Sequence, residues 1–132
     1  MSELQCTVVT PEQTVFDESA DFVALTLYDG EIGIAPGHAP MIGRLGFGEV
    51  RITGRGEPVR YYAEGGFVEV NGNVVSVLTN RAIPAAELDE AVCREQLATA
   101  RARESNTPEL MTARDRAVAQ SRARLRVAQR PE

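Results

Sequence analysis

Gly30-Glu31-Ile32-Gly33-Ile34-Ala35-Pro36-Gly37-His38-Ala39-Pro40 decides how this chain is read. Three glycines, two prolines and one histidine fall within eleven residues. Proline fixes φ and lacks an N–H donor, and glycine admits φ > 0. Neither a helix nor a long strand accommodates that mixture. The run predicts a tightly specified bend, with at most one short strand over residues 31–35.

Outward from the bend the pattern is β. Residues 4–10 carry Val8 and Val9. Residues 21–28 alternate Phe22, Ala24, Thr26 and Tyr28 against Val23, Leu25 and Leu27. Residues 47–53 alternate Phe47, Glu49 and Arg51 against Gly48, Val50 and Ile52, and shorter runs follow at 59–63, 67–71 and 73–79. Asn71-Gly72 between two alternating runs predicts a two-residue hairpin. Gly54, Gly56 and Pro58 mark another turn. Many short strands with regular turn signals predict a sandwich or barrel rather than βαβ units.

At Ile83-Pro84 the pattern changes. From Ala85 the chain is rich in Ala, Glu, Arg, Leu and Gln, which are good helix formers. Glu87, Asp89 and Glu90 place negative charge where a helix N-terminus favours it. The segment 105–109 breaks the helix, with Thr107 as N-cap and Pro108 at the first helical position of a second one. That helix runs to about Gln129, before Pro131. The fold class is therefore α+β, an N-terminal antiparallel β-sandwich (1–84) followed by a C-terminal antiparallel two-helix hairpin (85–132). On the second helix Met111, Val118 and Leu125 form a stripe, widened by Leu110, Ala117, Ser121 and Ala128. Arg122, Arg126 and Arg130 flank it. A stripe this thin predicts weak docking.

Composition excludes several function classes. Residues 1–84 carry a net charge of −6, whereas 110–130 carry +5. An acidic body with a basic tail predicts an acidic protein partner and no nucleic acid. All fourteen basic residues are arginine, so no P-loop lysine exists. His38 is the only histidine. No triad and no metal-ligand spacing can be assembled around it, so catalytic residues, metal and cofactors are all expected to be none. Cys6 and Cys93 read as separate reduced thiols. Tyr28, Tyr61 and Tyr62 read as cross-strand packing. No apolar stretch is long enough to span a bilayer, and the first residues lack a signal peptide's basic and apolar regions. The chain is expected to stay in the cytoplasm, with any membrane association through a partner.

The bend also carries a resemblance. Its pattern G-E-x-G-x-x-P-G-H-A-P resembles the epsilon subunit of F-type ATP synthases. Val8-Val9-Thr10-Pro11-Glu12 with Val15-Phe16 resembles that family's opening strand pair. Gly48-Glu49-Val50-Arg51-Ile52 resembles its central strand. Gly65-Gly66-Phe67-Val68-Glu69-Val70 and Asn73-Val74-Val75-Ser76-Val77-Leu78 resemble its last hairpin. Leu88-Asp89-Glu90-Ala91 resembles the opening of its helix pair.

The resemblance implies a non-catalytic central-stalk subunit of a proton-translocating ATP synthase, peripheral on the cytoplasmic face of the inner (plasma) membrane. Its implied partners are the gamma subunit, the c-subunit ring, and the alpha and beta subunits. It would couple rotor rotation to ATP synthesis and inhibit hydrolysis through its helices. Glu31 and His38 are the expected ring-side contacts, and Arg122 and Arg126 the expected contacts with catalytic subunits. The family's ATP-sensing motif [IL]-D-x-x-R-A is matched at Leu88 and Asp89 but has Val92 and Cys93 in its last two places. Arg124 stands on one expected arginine position of the second helix and Gln120 on the other. Lost guanidiniums remove bidentate phosphate donors, so ATP binding at Leu88, Asp89 and Arg124 is expected to be weak or absent. The alternative is a stand-alone ligand-sensing or adaptor module of the same architecture.

Overall fold

The computed structural model describes residues 3–130. Two five-stranded sheets face each other. The first runs β2 (Thr14–Ala20), β1 (Leu4–Val9), β9 (Val74–Leu78), β8 (Phe67–Asn71), β5 (Met41–Arg44). The second runs β10 (Ala82–Pro84), β7 (Val59–Glu64), β6 (Phe47–Thr53), β3 (Phe22–Leu27), β4 (Gly30–Ile34). Alternation places Leu4, Cys6, Val8, Val68, Val70, Val75 and Val77 of the first sheet against Val23, Leu25, Val50 and Ile52 of the second, all buried. Each such apolar side chain contributes roughly 1.5–3 kcal/mol by leaving water. The α+β class with a β-sandwich ahead of a helical pair is thus borne out.

The sheets are not wholly antiparallel. β1 and β9 pair in parallel, from Gln5 with Val74 to Val9 with Leu78. The β8–β9 hairpin closes one residue later than the sequence suggested. Asn71 pairs with Val74, and the turn residues are Gly72 (φ 59°) and Asn73 (φ 64°). Two successive positive φ values are what a primed turn demands, and Asn tolerates the left-handed region. Gly66 (φ 93°) lies where a Cβ would collide with the Leu78 carbonyl, and Gly65 before it also has a positive φ (66°). Strands β5 and β10, of four and three residues, were too short to show a period.

The helical part begins with a 3-10 turn, Ala85–Glu87, rather than with a helix. Helix α1 (Glu90–Arg101) then starts behind Asp89, whose Oδ1 accepts from the Val92 N–H at 3.1 Å. Helix α2 (Pro108–Gln129) starts behind Thr107, whose Oγ1 accepts from the Leu110 N–H at 3.1 Å. Both its cap and its end fall where the sequence placed them, while Pro131 lies outside the described residues. α1 has 12 residues and α2 has 22, so α2 outruns its partner. Part of it packs on α1 through Val118, with Leu97 and Ala100 opposite. Ala123 and Val127 press instead on the outer face of the second sheet, beside Tyr62, Ala85, Phe47, Ile83 and Leu88. The expected stripe is corrected at its start, because Leu110 and Met111 are exposed. No described helix is long and apolar enough to cross a membrane.

Candidate functional site

Four regions carry the candidate residues: the bend, the seam between α2 and the second sheet, a cleft beside that seam, and the outer face of the first sheet.

The bend is tied down at two points. Gly37 (φ 86°) donates its N–H to Asn73 Oδ1 at 2.8 Å, fixing the bend to the β8–β9 turn. The His38 N–H donates to the Ala35 carbonyl at 3.1 Å, and His38 Nδ1 donates to the Ala39 carbonyl at 2.8 Å. His38 is partly exposed and anchored locally, with no nucleophile or acid engaged on its ring among the described residues. Glu31, exposed on β4, projects from the outer face of the second sheet and lines the cleft against α2.

The seam is a charged latch that the sequence did not announce. Alternation on β6 and β7 points Glu49, Arg60, Tyr62 and Glu64 outward, under α2. Glu49 is buried and accepts from Arg60 Nε and, through Oε1, from Arg130 Nη1 at 2.6 Å. Arg60 Nη2 donates to the Val127 carbonyl at 3.0 Å, in the last turn of α2. There a helix has unpaired carbonyls and the negative end of its dipole. Arg124 Nη2 meets Glu64 Oε2 at 2.6 Å and its guanidinium lies 5.3 Å from the Tyr62 ring centre. Burial opposes the Arg124 charge, but Glu64 and the Tyr62 hydroxyl outweigh it and raise its pKa. Burial, then Glu64, pushes the Tyr62 hydroxyl well above its ordinary range. The weak docking expected from the thin stripe is therefore supplemented by arginine contacts.

The residues at the nucleotide-motif positions are occupied with structural work. Leu88 packs with Tyr62, Ala123 and Val127, Asp89 caps α1, and Arg124 is held by Glu64. Arg94 pairs with Glu90 at one helical turn, and that contact, with one from Gln129, lowers the Glu90 pKa. Val92 is half exposed. Among the described residues no group of three or more His, Cys, Asp or Glu could hold a metal ion.

Arg122 and Arg126 point elsewhere. With Arg130 they line one wall of a cleft of about 460 Å³ between α2 and strands β3, β4 and β6, with Tyr28, Glu31 and Phe47 on the other side. Glu31 and these arginines, which the sequence assigned to separate partners, thus share one cleft. His38 stands apart in the bend. Spacing offers no hint of this meeting, because 91 or more positions separate Glu31 from each arginine.

The two sheets differ in what covers them. α2 lies on the outer face of the second. On the first, Ile42, Phe67, Val74 and Leu78 are exposed at 74, 49, 43 and 40%. All four lie on one face, Phe67 beside Leu78, Val74 beside Asn71 and Ile42 beside Glu69, with the Glu69–Ser76 pair between the first two rows. Sequence alternation marks this face as outward but cannot say that nothing covers it.

Comparison with known proteins agrees with the architecture. Residues 3–85 match the family model described as ATP synthase, Delta/Epsilon chain, beta-sandwich domain. The chain is 49% identical over 123 residues to the ATP synthase epsilon chain of Rhodopirellula baltica, covering 93% of this chain and 96% of that one. It is 46% identical over 102 residues to the ATP synthase epsilon chain of Carboxydothermus hydrogenoformans, covering 77% and 75%. The fold is shared with a chain in the cryo-EM structure of the Euglena gracilis mitochondrial ATP synthase, OSCP/F1/c-ring in rotational state 1 (TM-score 0.86, 23% identity, 93% of this chain and 79% of that one). It is also shared with one in the Tetrahymena thermophila mitochondrial ATP synthase central stalk/c-ring structure (TM-score 0.76, 14% identity, 96% of each). The matching sandwich, the helical pair behind it and the near full-length identity together make this chain a member of the ATP synthase delta/epsilon-chain family.

Proposed function

We propose that the chain is a non-catalytic central-stalk subunit of an F-type ATP synthase, coupling rotor rotation to ATP synthesis. The observation that carries this is the 49% identity to an epsilon chain over 93% of the sequence. Geometry supports it. One face of the sandwich is taken by its own hairpin, and the other offers Ile42, Phe67, Val74 and Leu78 uncovered. Exposed apolar residues interleaved with Arg44, Glu69 and Asn71 on a small rigid body suit a partner that meets both kinds of contact. We assign the gamma subunit to this face.

In this reading residues 1–84 are the coupling body and 85–132 the movable element. His38 in the bend and Glu31 on β4 are the ring-side candidates, although Glu31 also lines the cleft under α2 while the hairpin is docked. Arg122 and Arg126 engage acidic segments of the alpha and beta subunits once the hairpin leaves the sandwich, and so oppose hydrolysis. The protein sits at the membrane as part of the complex, on the cytoplasmic face of the plasma membrane, and proton flow drives it. Leu88, Asp89 and Arg124 form no working nucleotide site, because each is already engaged within the chain.

Co-purification tests the assignment. The tagged chain should retrieve a gamma subunit at one-to-one stoichiometry. Replacing Ile42 and Phe67 by Asp should abolish retrieval while leaving the circular dichroism spectrum unchanged. Retrieval undiminished by both substitutions would remove gamma from this face. Purified alone, the chain should hydrolyse no ATP, and turnover that follows the protein through purification would defeat the non-catalytic reading.

A further inference from the structure

Asn73 is the one non-glycine residue with a positive φ among the described residues, at 64°. Glycine would take that conformation without the penalty a Cβ brings. Asparagine usually holds it through a hydrogen bond from its side chain to nearby backbone. Here the side chain serves a distant segment instead. Its Oδ1 accepts the Gly37 N–H at 2.8 Å, across 36 positions. The Asn73 carbonyl accepts the Gln5 N–H at 2.9 Å, near the start of β1. One residue thus joins the β8–β9 turn, the first strand and the bend at a single end of the sandwich.

The bend, residues 35–40, needs such a tie. It leaves β4 on the edge of the second sheet and enters β5 on the edge of the first, so it crosses between layers outside both ladders. Pro36 and Pro40 contribute no N–H donor. The bonds of His38 to the Ala35 and Ala39 carbonyls are internal to the bend. Among the described residues the Gly37–Asn73 bond is the bend's one hydrogen bond to another element. Ala35, Gly37, Ala39 and Pro40 are exposed, so packing offers little substitute.

We propose that Asn73 is a positioning residue for the coupling contact, its Oδ1 holding the bend in the conformation in which His38 meets the rotor ring. The proposal rests on the ring-side reading of the bend given above. A loop fixed before it meets its partner loses less freedom on binding, so pre-organisation appears as affinity. Prolines and glycine set the local shape of the bend, and Asn73 sets where that shape stands on the sandwich. Glycine at position 73 would leave the turn intact and remove only the tie. Aspartate would keep the tie, because its carboxylate oxygen accepts the same N–H and Asp tolerates a positive φ.

The test compares the full-length chain with Asn73→Gly and Asn73→Asp. In the free protein, Asn73→Gly should speed hydrogen exchange of the Gly37 amide roughly tenfold, and by more than it speeds Val68 and Val75 in the core, while Asn73→Asp should keep it slow. In vesicles carrying the complex stripped of this chain, adding the chain back should restore coupled ATP synthesis. Asn73→Gly should raise the half-saturating concentration severalfold with the same maximal rate and unchanged retrieval of gamma alone, and Asn73→Asp should match the parent. Unchanged Gly37 exchange in Asn73→Gly would overturn the tie. Normal add-back by Asn73→Gly beside weakened add-back by His38→Ala would overturn the positioning role and leave the bend at the ring. Normal add-back by both variants would remove the bend from the ring, and the proposal with it. Retrieval of gamma weakened as much as add-back would place the effect of Asn73 on the gamma face and overturn the proposal too.

Discussion

Arg60, the second residue of β7, donates through Nη2 to the carbonyl oxygen of Val127 at 3.0 Å, across 67 residues of sequence. One buried cation thereby closes the C-terminal end of α2 and neutralises Glu49 beneath it. At this end the hairpin is held by directional bonds together with the apolar contact of Ala123 and Val127 on Tyr62, Phe47 and Leu88.

Arg60→Leu should therefore free the end of α2. Removing one partner of a buried ion pair costs about 3–5 kcal/mol, and Arg130 offsets part of that by remaining on Glu49. The expected result is a loss of roughly 2–4 kcal/mol in denaturant unfolding, with faster proteolysis within 102–130 than within the sandwich. Global unfolding at the same rate in both regions would show that the latch is not a separate element.

Hairpin release should be visible at a thiol. Cys93 is 2% exposed, and burial raises its pKa although Arg124 pulls the other way. At pH 8 the native chain should react slowly with a maleimide, and Arg124→Gln or Glu64→Gln should speed labelling of Cys93 severalfold while leaving Cys6 protected. Equal acceleration of both thiols would indicate general loosening instead.

The same latch bears on regulation. In a reconstituted complex, truncation after Pro84 should preserve ATP synthesis and raise ATP hydrolysis. Arg122→Ala with Arg126→Ala should give part of that rise, and added salt should mimic it by screening. Equal hydrolysis rates for full-length, truncated and doubly substituted chains would make the hairpin a passive appendage.

Calorimetry should detect no ATP binding at the Leu88–Asp89–Arg124 region at submillimolar nucleotide. Because Glu64 holds Arg124, Val92→Arg alone should restore little, and Val92→Arg with Glu64→Gln should restore more. A saturable signal that depends on Asp89 in the unsubstituted chain would refute this.

Burial, followed by the charge of Asp17, pushes the Cys6 thiol up to about 12. The folded state thus favours the neutral thiol, and its contribution is complete below the unfolded pKa of about 8.5 and lost as pH rises towards 12. Between pH 9 and 11 the stability advantage of the parent over Cys6→Ala should shrink by up to about 1.4 kcal/mol per pH unit. A difference constant with pH would mean that the thiol ionises equally in both states.

Much of the fold was legible because it rests on local rules. Alternation exposed β3 and β6 but not the seven residues of β2, which only the resemblance at Val15-Phe16 marked, and Thr107-Pro108 fixed the start of α2 to the residue. Strands β5 and β10 were hidden because three or four residues carry no period. The latch was hidden for a different reason. Arg60 and Glu49 occupy outward positions on alternating strands, where charged residues are expected to meet water. Only the placement of α2 over that face makes them buried. Ala123 and Val127 gave a weak signal, since they are a small apolar pair at helical spacing among arginines. Glu31's place opposite Arg122 and Arg126 follows from the overlap of a strand and a helix far apart in sequence, which spacing cannot reveal.

The parallel pairing of β1 with β9 has a consequence for biosynthesis. The strand that leaves the ribosome first has its inner partner at residues 74–78, so it must wait until most of the sandwich has been made. Until then β1 can close only with β2, and its other edge stays open to any extended chain nearby. Pairing over so long a separation is slow. The hairpin emerges after that closure becomes possible, and the surface that receives α2 is complete before α2 itself is. Newly made chains are therefore most vulnerable to misassociation midway through translation, and a nascent chain halted before residue 74 should be the one that chaperones hold.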